Sequence, residues 1–409
     1  VTDAPADGLG PGSGYRPLTV ETVPAWLDAR PALRALVPGD ALHVREVGDG
    51  NLNLVFVVRD DPGRPGVVLK QSLPWVRVHG ESWPLTVERA RHEADAYEAY
   101  EAFAGDAIAR WHGFDAEWYV NAIEDLADLK VWRTALNDGE IHAGAAVAMG
   151  RLVARIAFHT SDFGMEPEAR KRKAAATINP ELCRITEDLV LDEPFREHEH
   201  NRHPGGIDGL VRELRADRVV LREIAGLKHT FMTHGEALIH GDLHTGSVMV
   251  GGGRAAAIDP EFAFYGPVGF DLGAIWANAA IAAARADRLD RPDAFRAHVA
   301  AIVPDSWDAF TSELRRLWPA RIDRAFSDDF LDDHLARVWV DGLGFAAAKA
   351  TRRMIGYAHV ADIDSLDEPA RSSAAGAVVR TARRWLHERR DLPDAAAMWS
   401  VVIDEIGRG

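Results

Sequence analysis

The stretch His240-Gly241-Asp242-Leu243-His244-Thr245-Gly246-Ser247 lies between an apolar run, Ala237-Leu238-Ile239, and a strand-like run, Val248-Met249-Val250. Its glycines predict a loop, with Asp242 held in it where the two runs meet. A second strand-like run, Ala255-Ala256-Ala257-Ile258, leads into Asp259-Pro260-Glu261. One acid on a loop and two more at the next strand end suit phosphoryl transfer. That reaction needs a carboxylate to orient the attacking hydroxyl and accept its proton. It also needs hard oxygen ligands for the magnesium that bridges nucleotide phosphates.

Upstream of this stretch the texture is strand-rich. Residues 43–47 and 54–58 flank Gly48-Asp49-Gly50-Asn51, and both runs are rich in β-branched and aromatic residues. After the turn-forming Asp60-Asp61-Pro62-Gly63, a third strand is expected over 66–70, ending at Lys70. A long helix is expected over 85–103, with Glu93 near its middle, and a strand over 118–123 that Glu124-Asp125-Leu126 breaks. Glycines between strands let a backbone approach phosphates closely. Asn53 stands where a third glycine would fall, and taken alone the loop reads as an ordinary hairpin. Lys70 suits a phosphate contact and Glu93 could pair with its ammonium, although each alone reads as a solvated charge.

Residues 22–35 suggest a short helix, and residues 143–160, 209–227 and 272 onward carry helical spacing. The expected fold is α+β with two unequal lobes: a flexible tail over 1–20, a small β-rich lobe with one long helix over 21–125, and a larger, mostly helical lobe over 126–409.

The order of these features, glycine loop, strand lysine, helix glutamate, loop aspartate and strand-end acids, resembles the protein-kinase-like fold of small-molecule kinases such as aminoglycoside and choline kinases. More narrowly, the chain resembles the methylthioribose kinase family. The matching segments are Gly48-Asp49-Gly50-Asn51-Leu52-Asn53, Lys70-Gln71, Gly80-Glu81-Ser82-Trp83-Pro84-Leu85 and Asn179-Pro180-Glu181-Leu182-Cys183. To these add His240 to Ser247, Asp259 to Pro267, Gly269-Phe270-Asp271, and Arg352-Arg353 with Gly356 to Asp362. They span roughly residues 45–365, which is most of the chain.

The resemblance implies a kinase using ATP and magnesium to phosphorylate the anomeric hydroxyl of 5-methylthioribose, a step of methionine salvage. It makes Asp242 the catalytic base, in contact with the sugar, and Asp259 and Glu261 the magnesium ligands. Ser247 stands where most small-molecule kinases place a metal-binding asparagine; Glu261 would take over that ligand. Gly48, Gly50, Asn51, Asn53 and Lys70 would meet the nucleotide phosphates, and the backbone from Glu124 to Leu126 would meet adenine. Arg352 and Arg353 would position the sugar and steady the transferring group; Glu93, His240 and Asp271 would be structural supports. The resemblance also suggests a homodimer. Read without it, adjacent arginines on a helix point about 100° apart, one as a surface charge and the other paired with an acid such as Asp341 or Asp362. The alternatives are a kinase of the same fold acting on another small alcohol, such as 5-deoxyribose or an aminoglycoside, and a non-catalytic nucleotide-binding scaffold.

Composition narrows the rest. The 409 residues carry 47 Lys and Arg against 63 Asp and Glu, a formal net charge of −16. A field of that sign disfavours a nucleic-acid partner. No apolar run has membrane length, the first residues carry no signal-peptide pattern, and the one cysteine, Cys183, fits a reducing, cytoplasmic setting. His240 and His244 superficially suggest a zinc peptidase, but that chemistry needs two histidines on one helix face with a glutamate beside the first. His198, His200 and His203, with Glu197 and Glu199 among prolines and glycines, read as a solvated loop that binds metal only adventitiously.

Overall fold

The structure is a computed structural model, and it describes residues 15–48, 52–77 and 80–408. The chain divides into two compact units: Val1–Leu129 with Pro260–Phe262, and Lys130–Asp259 with Ala263–Gly409.

The first unit is built on an antiparallel sheet of five strands: β1 (His43–Val47), β2 (Asn53–Arg59), β3 (Val67–Ser72), β4 (Trp111–Asp115) and β5 (Val120–Glu124), in the order β1-β2-β3-β5-β4. Alternation along each strand decides which face a side chain serves. Phe56, Val58, Val67, Leu69 and Ala122 pack with Trp26 and Leu27 into one core. Lys70, one residue on from Leu69, takes the opposite face, where the Arg89–Ala104 helix lies. Lys70 pairs across the sheet with Val55 and Asn121.

Several expected boundaries shift for local reasons. The helix expected over 22–35 is two short pieces, Val23–Asp28 and Pro31–Arg34. Pro31 has no N–H to continue the first, and it pushes Arg30 out of the helical region. The long helix starts at Arg89 rather than 85, because Leu85 N–H donates to Pro74 O and Trp75 bridges to Pro84. Strand β4 has no counterpart among the sequence expectations. Its Trp-His-Gly-Phe-Asp lacks alternation, and the register against β5 shifts between Trp111 and Gly113, a bulge that glycine permits.

The second unit is mostly helical. It holds a three-stranded sheet, β6 (Lys130–Val131), β8 (Val248–Gly251) and β9 (Arg254–Ala257), in the order β6-β8-β9, and a pair, β7 (Ala237–Ile239) with β10 (Phe264–Gly266). Its centre is the contact between the Gly269–Arg288 and Asp328–Ile355 helices. A Cβ at Gly273 would lie 2.7 Å from Gly342 O and 2.8 Å from Ala346 N, so only glycine allows this approach. Among the described residues no helix is long and apolar enough to cross a membrane.

The helix expected over 209–227 is two helices, Asp208–Ala216 and Arg218–Thr233, separated by Asp217. Its carboxylate caps the second helix by accepting from Val219 and Val220 N–H, and it also meets Arg383 and His387, each at 2.8 Å. Burial opposes that charge, but His387 and Arg383 prevail and bring the carboxyl down to about 2. Asp217→Ala is expected to cost about 2 kcal/mol in urea unfolding at neutral pH. The native pKa is depressed below the unfolded value of 3.8, so this stability is present above pH 3.8 and is lost as pH falls through about 2. The gap between wild type and variant should close over that range.

Candidate functional site

The candidate residues fall into two groups, one in each unit. In the first, Lys70 Nζ lies 2.9 Å from Glu93 Oε1, both groups buried. Asn121 Nδ2 donates to Glu93 Oε2 at 3.3 Å, which fixes the second carboxylate oxygen. Burial raises the Glu93 pKa, Lys70 lowers it and Glu261 raises it again, for a net upward shift.

Glu261 sits on the Pro260–Phe262 turn, packed on the Arg89–Ala104 helix. Its Oε2 accepts from Asn53 Nδ2 at 2.8 Å and lies 3.8 Å from Lys70 Nζ and 3.6 Å from Arg89 Nε. The asparagine that replaces a third glycine is therefore a ligand of the acidic residue 208 positions later in the chain. Arg89, which the sequence reading passed over, is fully buried and donates to the carbonyls of Leu52, Leu73 and Thr86 and to Asn53 Oδ1. It lies four residues before Glu93 on one helix face, and that spacing was the available signal.

Gly48 forms the turn that ends β1, with open space where a Cβ would be. Gly50 and Asn51 lie outside the described residues. Glu124 ends β5, its N–H donated to Arg110 O, and the Leu126 carbonyl accepts from Leu129 N–H.

The second group surrounds Asp242. Gly241, at φ +82°, supplies the left-handed turn ahead of it. Asp271 holds the loop from below: Oδ2 accepts from His240 N–H at 2.8 Å and Oδ1 from Gly241 N–H at 3.0 Å. Burial nonetheless raises the Asp271 carboxyl to about 6. His240 Nε2 donates to Ile258 O at 3.0 Å, which leaves Nδ1 to accept from Asp242 N–H at 3.4 Å. Thr245 Oγ1 ties the far side of the loop to Asn278 Oδ1 at 2.8 Å.

The Asp242 carboxylate meets Lys349 Nζ at 2.9 Å through Oδ1 and His244 Nε2 at 3.3 Å through Oδ2. Gly246 N–H donates to His244 Nδ1, so that nitrogen is the acceptor and Nε2 carries the proton toward Asp242. Ser247 Oγ lies 3.2 Å from the same Nδ1 and donates to it. Burial raises the Asp242 pKa, but His244, Lys349, Arg353 and Arg352 outweigh it and hold the carboxyl well below its ordinary value. Burial drives His244 the other way, far below the ordinary imidazole value, and keeps it neutral.

Arg352 and Arg353 close the Asp328–Ile355 helix. Arg353 Nη1 donates to Ala358 O at 3.1 Å, and Arg352 Nε is buried with no hydrogen-bond partner among the described residues. Neither arginine has a carboxylate within salt-bridge distance there. Asp362 lies 3.6 Å from Arg133 instead, and Asp341 meets Arg389. Burial lowers the pKa of both arginines, and Arg133 adds to the repulsion. Arg133 and Lys349 were missed from sequence; Lys349 precedes Arg352 and Arg353 by three and four residues, one helical turn. Asp259 follows β9 with φ +72°, a left-handed conformation uncommon outside glycine.

The unit around Asp242 can hold an alkoxide-forming hydroxyl against an ionised carboxylate with two guanidinium groups nearby. The first unit presents a lysine fixed by a glutamate, as phosphate binding requires.

Residues 43–310 match the phosphotransferase enzyme family. Methylthioribose kinase of Geobacillus thermodenitrificans (strain NG80-2) is 39% identical over 383 residues, covering 93% of this chain and 95% of its own. The enzyme of that description from Geobacillus kaustophilus (strain HTA426) is 40% identical over 355 residues, covering 86% and 88%. A solved glucosamine kinase, in complex with glucosamine, ADP and inorganic phosphate, aligns over 92% of this chain and 86% of its own, at 18% identity and a TM-score of 0.46. Identity of 39% across nearly the full length of both sequences, on top of the phosphotransferase match, shows that the chain belongs to the methylthioribose kinase family.

Proposed function

We propose that this chain transfers the γ-phosphoryl group of ATP to the O1 hydroxyl of 5-methylthioribose, giving 5-methylthioribose 1-phosphate and ADP. The observation that carries the reading is the Asp242 carboxylate, kept ionised beside Lys349, Arg352 and Arg353 in a chain of this family. Asp242 orients O1 for attack. A carboxylate with so low a pKa is a weak base toward a free alcohol, so the proton moves late, once O1 has begun to bond phosphorus. The O1–P bond forms, the bond from the γ-phosphorus to the bridging oxygen breaks, and the proton leaves through Asp242. Arg352 and Arg353 stabilise charge on the phosphoryl oxygens as it spreads in the transition state. His244 stays neutral, and its Nε2 stands 3.3 Å from the Asp242 carboxylate.

Lys70, fixed by Glu93, contacts the nucleotide phosphates, with the backbone of the Gly48 turn beside them. Asp259 and Glu261 offer hard carboxylate oxygens, a donor set that fits magnesium, and these two residues would hold it. Bound magnesium supplies positive charge to the phosphates. The resemblance extends the proposal to a cytoplasmic homodimer.

A coupled assay for ADP release tests the reading, with magnesium and 5-methylthioribose, 5-deoxyribose, ribose or an aminoglycoside as acceptor. Turnover with 5-methylthioribose well above the others supports it. Preference for another acceptor keeps the chemistry and changes the substrate, and ATP binding without turnover on any of them favours a scaffold.

Lys349→Met tests how the ionised state of Asp242 is maintained. Methionine keeps the side-chain contact with the Phe270 ring, which the ammonium now approaches to 4.2 Å, and removes the charge. With the nearest cation gone, the Asp242 pKa rises. The acid limb of the kcat/KM profile should therefore move to higher pH by about one pH unit. An unmoved limb would mean that the two arginines hold the carboxylate charged without help.

A further inference from the structure

Outside the Asp242 cluster, one group of metal-ligating side chains stands out. Glu193, His198 and His200 each bring a ligand atom to within 4.8 Å of the other two. Glu193 Oε2 lies 2.9 Å from His200 Nδ1 and 3.4 Å from His198 Nδ1. The ligand-to-ligand edge of a tetrahedral zinc site with nitrogen and oxygen donors is about 3.3 Å, so the two edges from Glu193, one of them a hydrogen bond to His200, already stand near the separation a small dication imposes. The glutamate differs from the two that adjoin the histidines in sequence, Glu197 and Glu199. It is buried, and a buried carboxylate requires a positive partner. Among the described residues its ion pairs are with these two histidines, and no lysine or arginine lies within 4 Å of it.

The loop is anchored as well as clustered. Asn201 Nδ2 donates to Glu193 O at 2.7 Å and to Arg196 O at 2.9 Å, which closes the turn around the three ligands. Arg202 N–H donates to Ile355 O at 2.9 Å, and His359 Nε2 donates to Arg202 O at 2.8 Å. The His200 and Tyr357 rings lie 5.2 Å apart. Ile355 to His359 is the segment directly after Arg352 and Arg353, and Arg353 itself donates to Ala358 O. Whatever fixes the 193–202 loop therefore also fixes the chain that positions the two arginines.

We propose that Glu193, His198 and His200 form a binding site for one zinc-class divalent cation, which clamps the 193–202 loop against the segment following Arg352 and Arg353. Two imidazoles and one carboxylate suit zinc, cobalt(II) or nickel(II) rather than magnesium, whose preference is for oxygen. Three protein ligands leave a coordination position for water.

The test uses the full chain stripped with EDTA and titrated with Zn2+ by calorimetry, and with Co2+ by visible absorption. Wild type should bind one Zn2+ per chain at micromolar affinity or tighter, give a tetrahedral Co2+ spectrum and melt at higher temperature with Zn2+ than without. His198→Ala and Glu193→Gln should each weaken that binding by about 100-fold and abolish the rise in melting temperature. Zinc bound only at submillimolar affinity by wild type, or bound equally by both variants, would overturn the site. Because wild-type binding is read directly, a variant that fails to fold does not remove the test.

Discussion

Asp242→Asn is expected to lower kcat by about 10³- to 10⁴-fold while leaving ADP affinity at the wild-type value. Asparagine keeps an oxygen for Lys349 Nζ, now 2.9 Å from Oδ1, and so preserves the shape of the site. It removes the charge that orients the hydroxyl and takes its proton. We propose nucleotide binding by Lys70 and its neighbours, which belong to the other unit. Asp242→Ala is the less informative variant. It leaves Lys349 buried without its ion-pair partner, and removing one partner of a fully buried pair costs about 3–5 kcal/mol, an upper bound for this half-buried carboxylate. Asp242→Asn also loses charge compensation for Arg352 and Arg353, so a modest fall in melting temperature should accompany the lost turnover. Calorimetry with ADP and single-turnover kinetics separate the two effects. Wild-type turnover in a folded Asp242→Asn protein would remove Asp242 from the chemistry.

What the sequence exposed and what it hid divide along a physical line. Asp242, Asp259 and Glu261 were legible because glycines and strand ends mark their positions locally, within a few residues of each. The strands carrying Lys70 were legible for the same reason: β-branched alternation is a short-range signal. The pairing of Lys70 with Glu93 needed only the order of a strand and a helix. Arg89, Lys349 and Arg133 were not legible, because a buried or half-buried cation looks like a solvated one until its surroundings are known. Lys349 stands between Ala348 and Ala350 on a helix, and nothing nearby in sequence says that Asp242, 107 positions away, is its partner. Glu193 shows the same failure in reverse, since sequence proximity pointed to Glu197 and Glu199 while the fold chose a residue five positions before His198. Strand β4 was hidden by its bulge, and the break at Asp217 by apolar spacing that runs on through both helices. Caps and bulges interrupt a period without erasing it, so a periodicity reading joins elements that the backbone separates.

Arg352→Met is expected to lower kcat/KM for the sugar by about 10³-fold and to raise the melting temperature. The two effects share one cause. Arg352 and Arg353 stand near the Asp242 carboxylate with Arg133 adding to their repulsion, Asp362 lies 3.6 Å from Arg133, and among the described residues neither Arg352 nor Arg353 has an acid within salt-bridge distance. Burial lowers the pKa of both, and Arg352 Nε has no hydrogen-bond partner there. In the free protein this cluster is therefore held against desolvation and mutual repulsion, which other packing must offset. A phosphoryl group in transfer brings the missing negative charge, so donors left unsatisfied in the free state become satisfied as the reaction proceeds. Methionine fills much of the same volume, relieves the repulsion and leaves no buried charge, and a gain of about 1 kcal/mol follows. If Arg352 were instead a structural cation, its loss would lower the melting temperature and leave kcat/KM within a small factor of wild type. Combining Arg352→Met with Asp242→Asn sharpens the distinction. The two groups interact with each other and with the same transferring phosphoryl, so the double variant should lose much less activity than the product of the single losses. It should also melt above Asp242→Asn alone, because each removed cation lessens the charge that Asp242 no longer balances.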